Sequence, residues 1–235
     1  MMFGNVVHAV LEAFGQGESR DSEDSDEILG ALMLELDNVL TGDFANPRMP
    51  AVKIQVQQLQ RRLEVFATKQ AAWAADGWRI LATEAESNKI VLDTGANAVW
   101  LRGKIDRVDR HQSTGEYAIL DYKSGQNAKQ LKDVRKKDGT WLDLQLPLYR
   151  FIGNQRGWED AKVGYINLPG KAADTQFVIA DWNESIFQSA IDEAKRIVDA
   201  IAEQRFWPPG KPKYDDDFSR LLMRGIPEKP DFGEG

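Results

Sequence analysis

The 235 residues are 42% hydrophobic and 29% charged, a balance that sustains a sizeable core and fits one large domain. The chain has no cysteine, which excludes disulfides, thiolate zinc sites, iron-sulfur clusters and cysteine nucleophiles together. Its net charge of -7 looks unfavourable for nucleic acid, but the charge is unevenly placed. Acid collects in residues 15–27 and in the tail, while the stretch from Lys123 to Lys137 carries Lys129, Lys132, Arg135, Lys136 and Lys137 against Asp133. No run of about eighteen uncharged apolar residues is present, and no basic start leads into an apolar stretch and a small-residue cleavage site. A cytoplasmic protein with no membrane association is the expectation.

In chain order, Val6, Val7, Val10, Leu11 and Phe14 repeat with helical spacing, and Gly15 and Gly17 end that helix, which carries His8. The acidic, serine-containing segment that follows reads as a mobile loop before a second helix near Glu27 to Leu40. Pro47 and Pro50 open a long helix to about Asp76, rich in good helix formers and stopped by Gly77. The period then changes to alternation. Lys89 to Asp93 and Ala98 to Arg110 read as strands, the second with Trp100, Arg102, Lys104 and Asp106 on one face. A turn at Gln112 to Gly115 leads to a third strand, Glu116 to Lys123. A helix from about Leu142 to Asn154, strands at Lys162 to Asn167 and Gln176 to Ala180, and an amphipathic helix from Glu184 to Gln204 follow. Pro208, Pro209 and Pro212 mark an irregular tail. This order implies an α/β fold, a mixed central sheet with helices on both faces. The expected organisation is a single domain over 1–235, with an N-terminal helical part at 1–77, a sheet core at 78–180 and a terminal helix and tail at 181–235.

Asp106 lies on one strand and Asp121 with Lys123 on the next, across a hairpin-length turn. Adjacent strands lie about 4.8 Å apart, so both carboxylates could reach one divalent ion, and residues two apart on a strand share a side. Phosphodiester hydrolysis uses this grouping, because a cation neutralises phosphate and acidifies water while an ammonium orients that water. Taken singly, each acid reads as a strand-end ion pair with Arg102, Arg107 or Lys123, and the basic run as a solvated surface. With only His8 and His111 available, a metal site here must be rich in carboxylates, which suits magnesium or manganese.

Four motifs in order give a more specific reading. They are Phe3 to Glu12 (FGNVVHAVLE), Gly103 to Asp109 (GKIDRVD), Asp121 to Gly125 (DYKSG) and Gln145 to Tyr149 (QLPLY). Together they resemble the PD-(D/E)XK nucleases of the RecB, AddA and AddB branch, over residues 3 to 149, with looser likeness beyond. The resemblance implies a restriction-endonuclease-like core and Mg2+ or Mn2+ as cofactor. It implies that Asp106, Asp121 and Lys123 are catalytic, and that His8, Asp106, Asp121 and the backbone carbonyl of Tyr122 form the metal shell. Gln145 and Tyr149, one turn apart on a helix, would contact DNA or brace the site. Glu84 stands where relatives often carry an acid near the site, with Glu86 as its competitor. Lys132, Arg135, Lys136 and Lys137 are the candidate phosphate contacts that follow the catalytic strand.

The chain departs from many AddB-like relatives in lacking the cysteines of their iron-sulfur cluster; the tail around Trp207, Tyr214 and Phe218 occupies that place, and is expected to dock by apolar contacts or stay mobile. The sequence begins almost on the His8 motif without a helicase-like region, as an excised domain of a larger repair protein or a stand-alone nuclease would. The leading expectation is a metal-dependent deoxyribonuclease, an exonuclease rather than an endonuclease, acting on single strands or duplex ends in recombination and repair, with a helicase or larger repair protein as partner. The alternatives are a silent nuclease-fold domain that binds DNA or scaffolds a partner, and a hydrolase of another phosphate ester.

Overall fold

A computed structural model describes residues 2–43 and 50–205. The first helix, α1 (Met2–Gln16), buries Val6, Val7, Val10, Leu11 and Phe14, the residues whose spacing predicted it. It runs past Gly15 because that glycine is where it crosses the sheet: a Cβ there would lie 2.3 Å from Thr83 Cγ2. The helix closes at Gly17, whose N–H donates to Phe14 O. A 3-10 turn (Glu18–Asp21) and the helices α2 (Ser25–Asp43) and α3 (Pro50–Ala75) follow.

The segment expected to be mobile is held instead. Asp21 Oδ1 accepts the N–H of Ile80, Glu23 pairs with Arg79 at 3.1 Å, and Gln70 Nε2 donates to Arg20 O. Its acids serve as caps and clasps, which composition alone does not distinguish from a solvated loop. The tail contacts expected of Trp207, Tyr214 and Phe218 lie outside the described residues.

Five strands, β1 (Trp78–Asp93), β2 (Ala98–His111), β3 (Tyr117–Lys123), β4 (Lys162–Asn167) and β5 (Gln176–Ile179), form one sheet in chain order. Only β3 and β4 run parallel, and that pairing needs a crossover, which α4 (Gln145–Asn154) supplies. The last helix, α5 (Glu184–Ala202), starts at Asn183, whose side chain accepts the N–H of Ile186. The sheet is covered on both sides. Ala118, Leu120 and Tyr122 of β3 pack with α1, α2 and α3, while Ile119 of the same strand packs with Leu146, Ile152 and Phe187 of α4 and α5. The predicted mixed sheet with helices on both faces is the fold observed.

Two strand expectations change. The first strand begins at Trp78 rather than Lys89, and Asp106 lies inside β2 rather than at the end of a strand. Arg107 is also not a surface cation. It is fully buried, with Nε and Nη2 each 2.7 Å from the carboxylate oxygens of Asp109 and Nη1 donating to Gln70 Oε1 of α3.

Candidate active site at the fork of two strands

The ladder between β2 and β3 runs from Arg110 opposite Tyr117 to Arg107 opposite Leu120 and stops there. The next rung would pair Asp106 with Asp121. The two carboxylates therefore stand at the fork where β2 continues with β1 alone while β3 continues with β4. Asp106 spans the gap by accepting the N–H of Tyr122 on Oδ2 at 2.8 Å, a hydrogen bond that replaces the missing ladder bond and fixes the carboxylate.

The other edge of Asp106 meets β1. Thr83 pairs with Arg107 and Ala85 with Ile105, which places Glu84 across from Asp106 at a rung that does not pair. Glu84 has a φ of 49°, a left-handed conformation rare for a side-chain-bearing residue and often associated with functional sites. On both strands this rung shifts the phase: Ala82 and Ala85, like Val108 and Ile105, all pack on the α4 side although three positions apart. The irregularity turns Glu84 and Asp106 toward His8 of α1. One ligand atom from each of His8, Glu84 and Asp106 lies within 4.8 Å of the others, and His8 Nδ1 is 3.7 Å from Asp106 Oδ1. Tyr122 supports His8 edge-on, with ring centroids 5.8 Å apart. Glu86, the competitor of Glu84, is exposed and outside this group.

Asp121 is not part of that close trio. Its Oδ1 accepts Gln145 Nε2 at 2.6 Å, and its Oδ2 lies 2.6 Å from Lys123 Nζ in an ion pair, buried but outside hydrogen-bond geometry. Gln145 grips both partners, since its Oε1 also accepts Lys123 Nζ at 2.9 Å. Asp143 Oδ1 accepts the N–H of Gln145 and so fixes the start of α4. Tyr149, one turn on, accepts from Gln145 Nε2 and donates to Lys104 O, tying α4 to β2. Sequence reasoning offered Gln145 and Tyr149 as DNA contacts or braces; in the structure Gln145 joins Asp121 to Lys123 and Tyr149 joins Gln145 to β2.

Burial and mutual repulsion set the electrostatics. Desolvation, and next the Asp121 charge, push the Asp106 carboxyl up to about 6. Burial raises Asp121 as well, against the opposing pull of Lys123. Two buried carboxylates held near one another repel, and a positive charge placed between them would relieve that repulsion. The available donors are carboxylate oxygens and one imidazole nitrogen, and the buried Asp121 Oδ2 meets only the Lys123 ammonium at 2.6 Å. This set fits a hard divalent cation that prefers oxygen. Tyr122 could offer only its backbone carbonyl, because its side chain is buried in the helical core.

Beyond Lys123 the chain is anchored by a residue that sequence reasoning missed. Asn167 accepts the N–H of Lys129 and donates to Lys129 O. Local pattern marked Asn167 only as the end of a strand; its place opposite Lys123 comes from the parallel register of β3 with β4. Of the basic run, Lys132, Lys136 and Lys137 are exposed, whereas Arg135 is half-buried over the Trp141 ring and Lys129 lies 3.4 Å from Asp143. His111, the second histidine, sits at the far end of β2 with Nε2 2.7 Å from Asp76 O.

No curated protein matched the chain. The family model described as the PD-(D/E)XK nuclease superfamily matches residues 2–213, a span that includes His8, Glu84, the carboxylate fork, Lys123 and Gln145. That superfamily's nucleases use divalent metals, in keeping with the oxygen-rich donor set at the fork. The chain belongs to the PD-(D/E)XK nuclease superfamily.

Proposed function

We propose that this chain is a Mg2+- or Mn2+-dependent deoxyribonuclease of the RecB/AddB type, an exonuclease acting on single strands or duplex ends in recombination and repair. The observation that carries this reading is the fork itself: two buried carboxylates with raised proton affinity, and beside them a lysine gripped by Gln145. His8, Glu84, Asp106, Asp121 and the Tyr122 carbonyl would hold the cation. When bound, such a cation neutralises the scissile phosphate and lowers the pKa of the attacking water.

Hydrolysis adds a water oxygen to phosphorus and expels the sugar oxygen, with negative charge building on the phosphoryl oxygens. Lys123, half-exposed at the fork, can reach that charge and orient the water with its ammonium. Gln145 keeps Lys123 and Asp121 in register, and Tyr149 holds Gln145 against β2. The exposed Lys132, Lys136 and Lys137 lie on the stretch that follows the catalytic strand and would take the nucleic-acid backbone. A helicase or a larger repair protein would deliver the substrate.

The test is a panel of single-stranded, linear duplex and closed circular DNA, with and without manganese, for the wild type and Lys123→Ala. Metal-dependent loss of the single-stranded and linear substrates, absent in the variant, is the expected result. No cutting of any substrate, or equal cutting by Lys123→Ala, overturns the reading. A silent scaffold has no observation in its favour, because His8, Asp106, Asp121 and Lys123 are all present.

A further inference from the structure

The long β1–β2 hairpin continues about 20 Å beyond the fork, from Asp106 out to Trp100. Ala85, Ile90 and Ile105 pack toward α4, and a Cβ on Gly103 would lie 3.1 Å from Ile152. Trp100, Arg102 and Lys104 alternate with these positions and therefore occupy the opposite face, on the side from which α1 brings His8 to the site. That face is open. Trp100 is 65% exposed, and Lys89, Arg102 and Lys104 are exposed beside it.

The local backbone is built to hold a cation next to that indole. The pairing of β1 with β2 slips between Ser87 opposite Gly103 and Ile90 opposite Leu101, so Asn88 and Lys89 together face Arg102. Lys89 takes a φ of 66° at this bulge, and its Nζ lies 5.5 Å from the Trp100 ring centroid. Arg102 has no hydrogen-bond or ion-pair partner among the described residues. Lys104 is paired with Glu84 at 2.5 Å, and Glu86 is an exposed acid opposite Lys104. Free positive charge is therefore concentrated at the Trp100 end of the face, and acid increases toward the fork.

We propose that this hairpin face is a binding track for single-stranded nucleic acid, with Trp100 stacking on a base and Lys89 and Arg102 taking the flanking phosphates. The inference rests on the nuclease reading and names the strand state of its substrate. Single strands are gripped by exposed aromatic faces set among cations, because every base offers a π-face and every linkage a charge. A paired duplex hides those faces, so the indole selects an unpaired strand. Positions two apart on β2 repeat about every 6.8 Å, so Trp100, Arg102 and Lys104 form a regular row that ends at the carboxylates. The track leads the strand to the fork without any side chain that touches the reacting atoms.

The test is anisotropy of fluorescein-labelled oligothymidylate in EDTA, where no cleavage occurs, with the full chain. Trp100→Ala is expected to weaken binding by between about fivefold and a hundredfold, while Trp100→Phe stays within a few-fold of wild type. Arg102→Gln is expected to flatten the dependence of log affinity on log salt by about 0.7. Binding of a blunt duplex hairpin should change little in Trp100→Ala. Failure of the wild type to bind oligothymidylate, equal affinity of Trp100→Ala, or equal loss in Trp100→Phe each overturns the track. The nuclease reading is judged separately by cutting in manganese: a wild type that cuts while Trp100→Ala binds normally rejects the track alone. A wild type that binds through Trp100 but never cuts rejects the nuclease alone.

Discussion

At Asp106 the requirements of catalysis and of folding oppose one another. Its carboxyl keeps a proton up to about pH 6 in the folded chain, chiefly through burial and then through Asp121, whereas an unfolded aspartate loses its proton near 3.9. Between those values folding takes up a proton, so this group's contribution to stability is complete below about pH 4 and is lost as pH rises through about 6. Asp106→Asn removes the charge and can keep an oxygen for the Tyr122 N–H. In metal-free buffer at pH 7 the Asn variant is therefore expected to melt above wild type, and its melting temperature should vary less between pH 4 and 6. Manganese should reverse the order, because a ligand that binds only the folded state stabilises it. Thermal scans with and without the metal read both effects; an Asn variant that melts lower in EDTA refutes the electrostatic account. Lys123 carries the complementary expectation. Lys123→Ala should lower turnover by about a hundredfold or more while manganese binding persists, since its ammonium acts on water and phosphate rather than on the cation. Wild-type turnover, or lost manganese affinity in calorimetry, would contradict that division of labour.

Among the elements, α4 and the chain leading into it show how placement converts residues into roles. The stretch after β3 is clamped by Asn167 at Lys129 and closed by an isolated bridge between Arg135 and Trp141. Lys132, Lys136 and Lys137 are thereby presented to solvent, while Arg135 is committed to the Trp141 ring. Replacing the three lysines with glutamine should weaken nucleic-acid binding evenly across sequences and flatten the salt slope on duplex by up to about 0.9 per lost phosphate contact. Unchanged affinity and slope would leave that surface without a role. Stability should hardly move, because exposed charges contribute little.

The same elements show what the sequence could reveal. The helices were legible because their apolar residues keep one phase, as Val6 to Phe14 do in α1. Most of β1 was not. Its buried positions run Trp78 and Ile80, then Ala85 and Ser87, then Leu92, and the pairing with β2 slips between Ile80 and Ala82 and again between Ser87 and Ile90. A search for strict alternation finds only the last piece, Lys89 to Asp93. The second slip is also what sets Lys89 beside Trp100, and the left-handed Glu84 between the two slips is what stands near Asp106. Motif resemblance pointed to His8, Asp106, Asp121 and Lys123, but the grip of Gln145 on two of them depends on α4 crossing over the fork, which local pattern does not encode.

Over the whole molecule, α3 links the helical layer to the sheet and to the site. Midway along it Arg62 donates to Leu168 O and Ser124 O, bracing the loop that leaves Lys123. Near its end Gln70 accepts from Arg107, and Trp73 donates to Asp109 Oδ2 at 2.7 Å. The Arg107 and Asp109 pair is wholly buried, with every charged edge engaged, so its value lies in not being broken. Arg107→Met leaves Asp109 charged and short of two donors in the core. It is expected to cost about 3–5 kcal/mol in urea unfolding, seen as a lower midpoint at unchanged slope. Adding Asp109→Leu removes the stranded charge and should recover part of that loss, though not all, because Trp73 then keeps an unpaired N–H worth about 1–3 kcal/mol. A single variant within about 1 kcal/mol of wild type, or a double variant less stable than the single, would show that the pair is not what fastens α3 to β2.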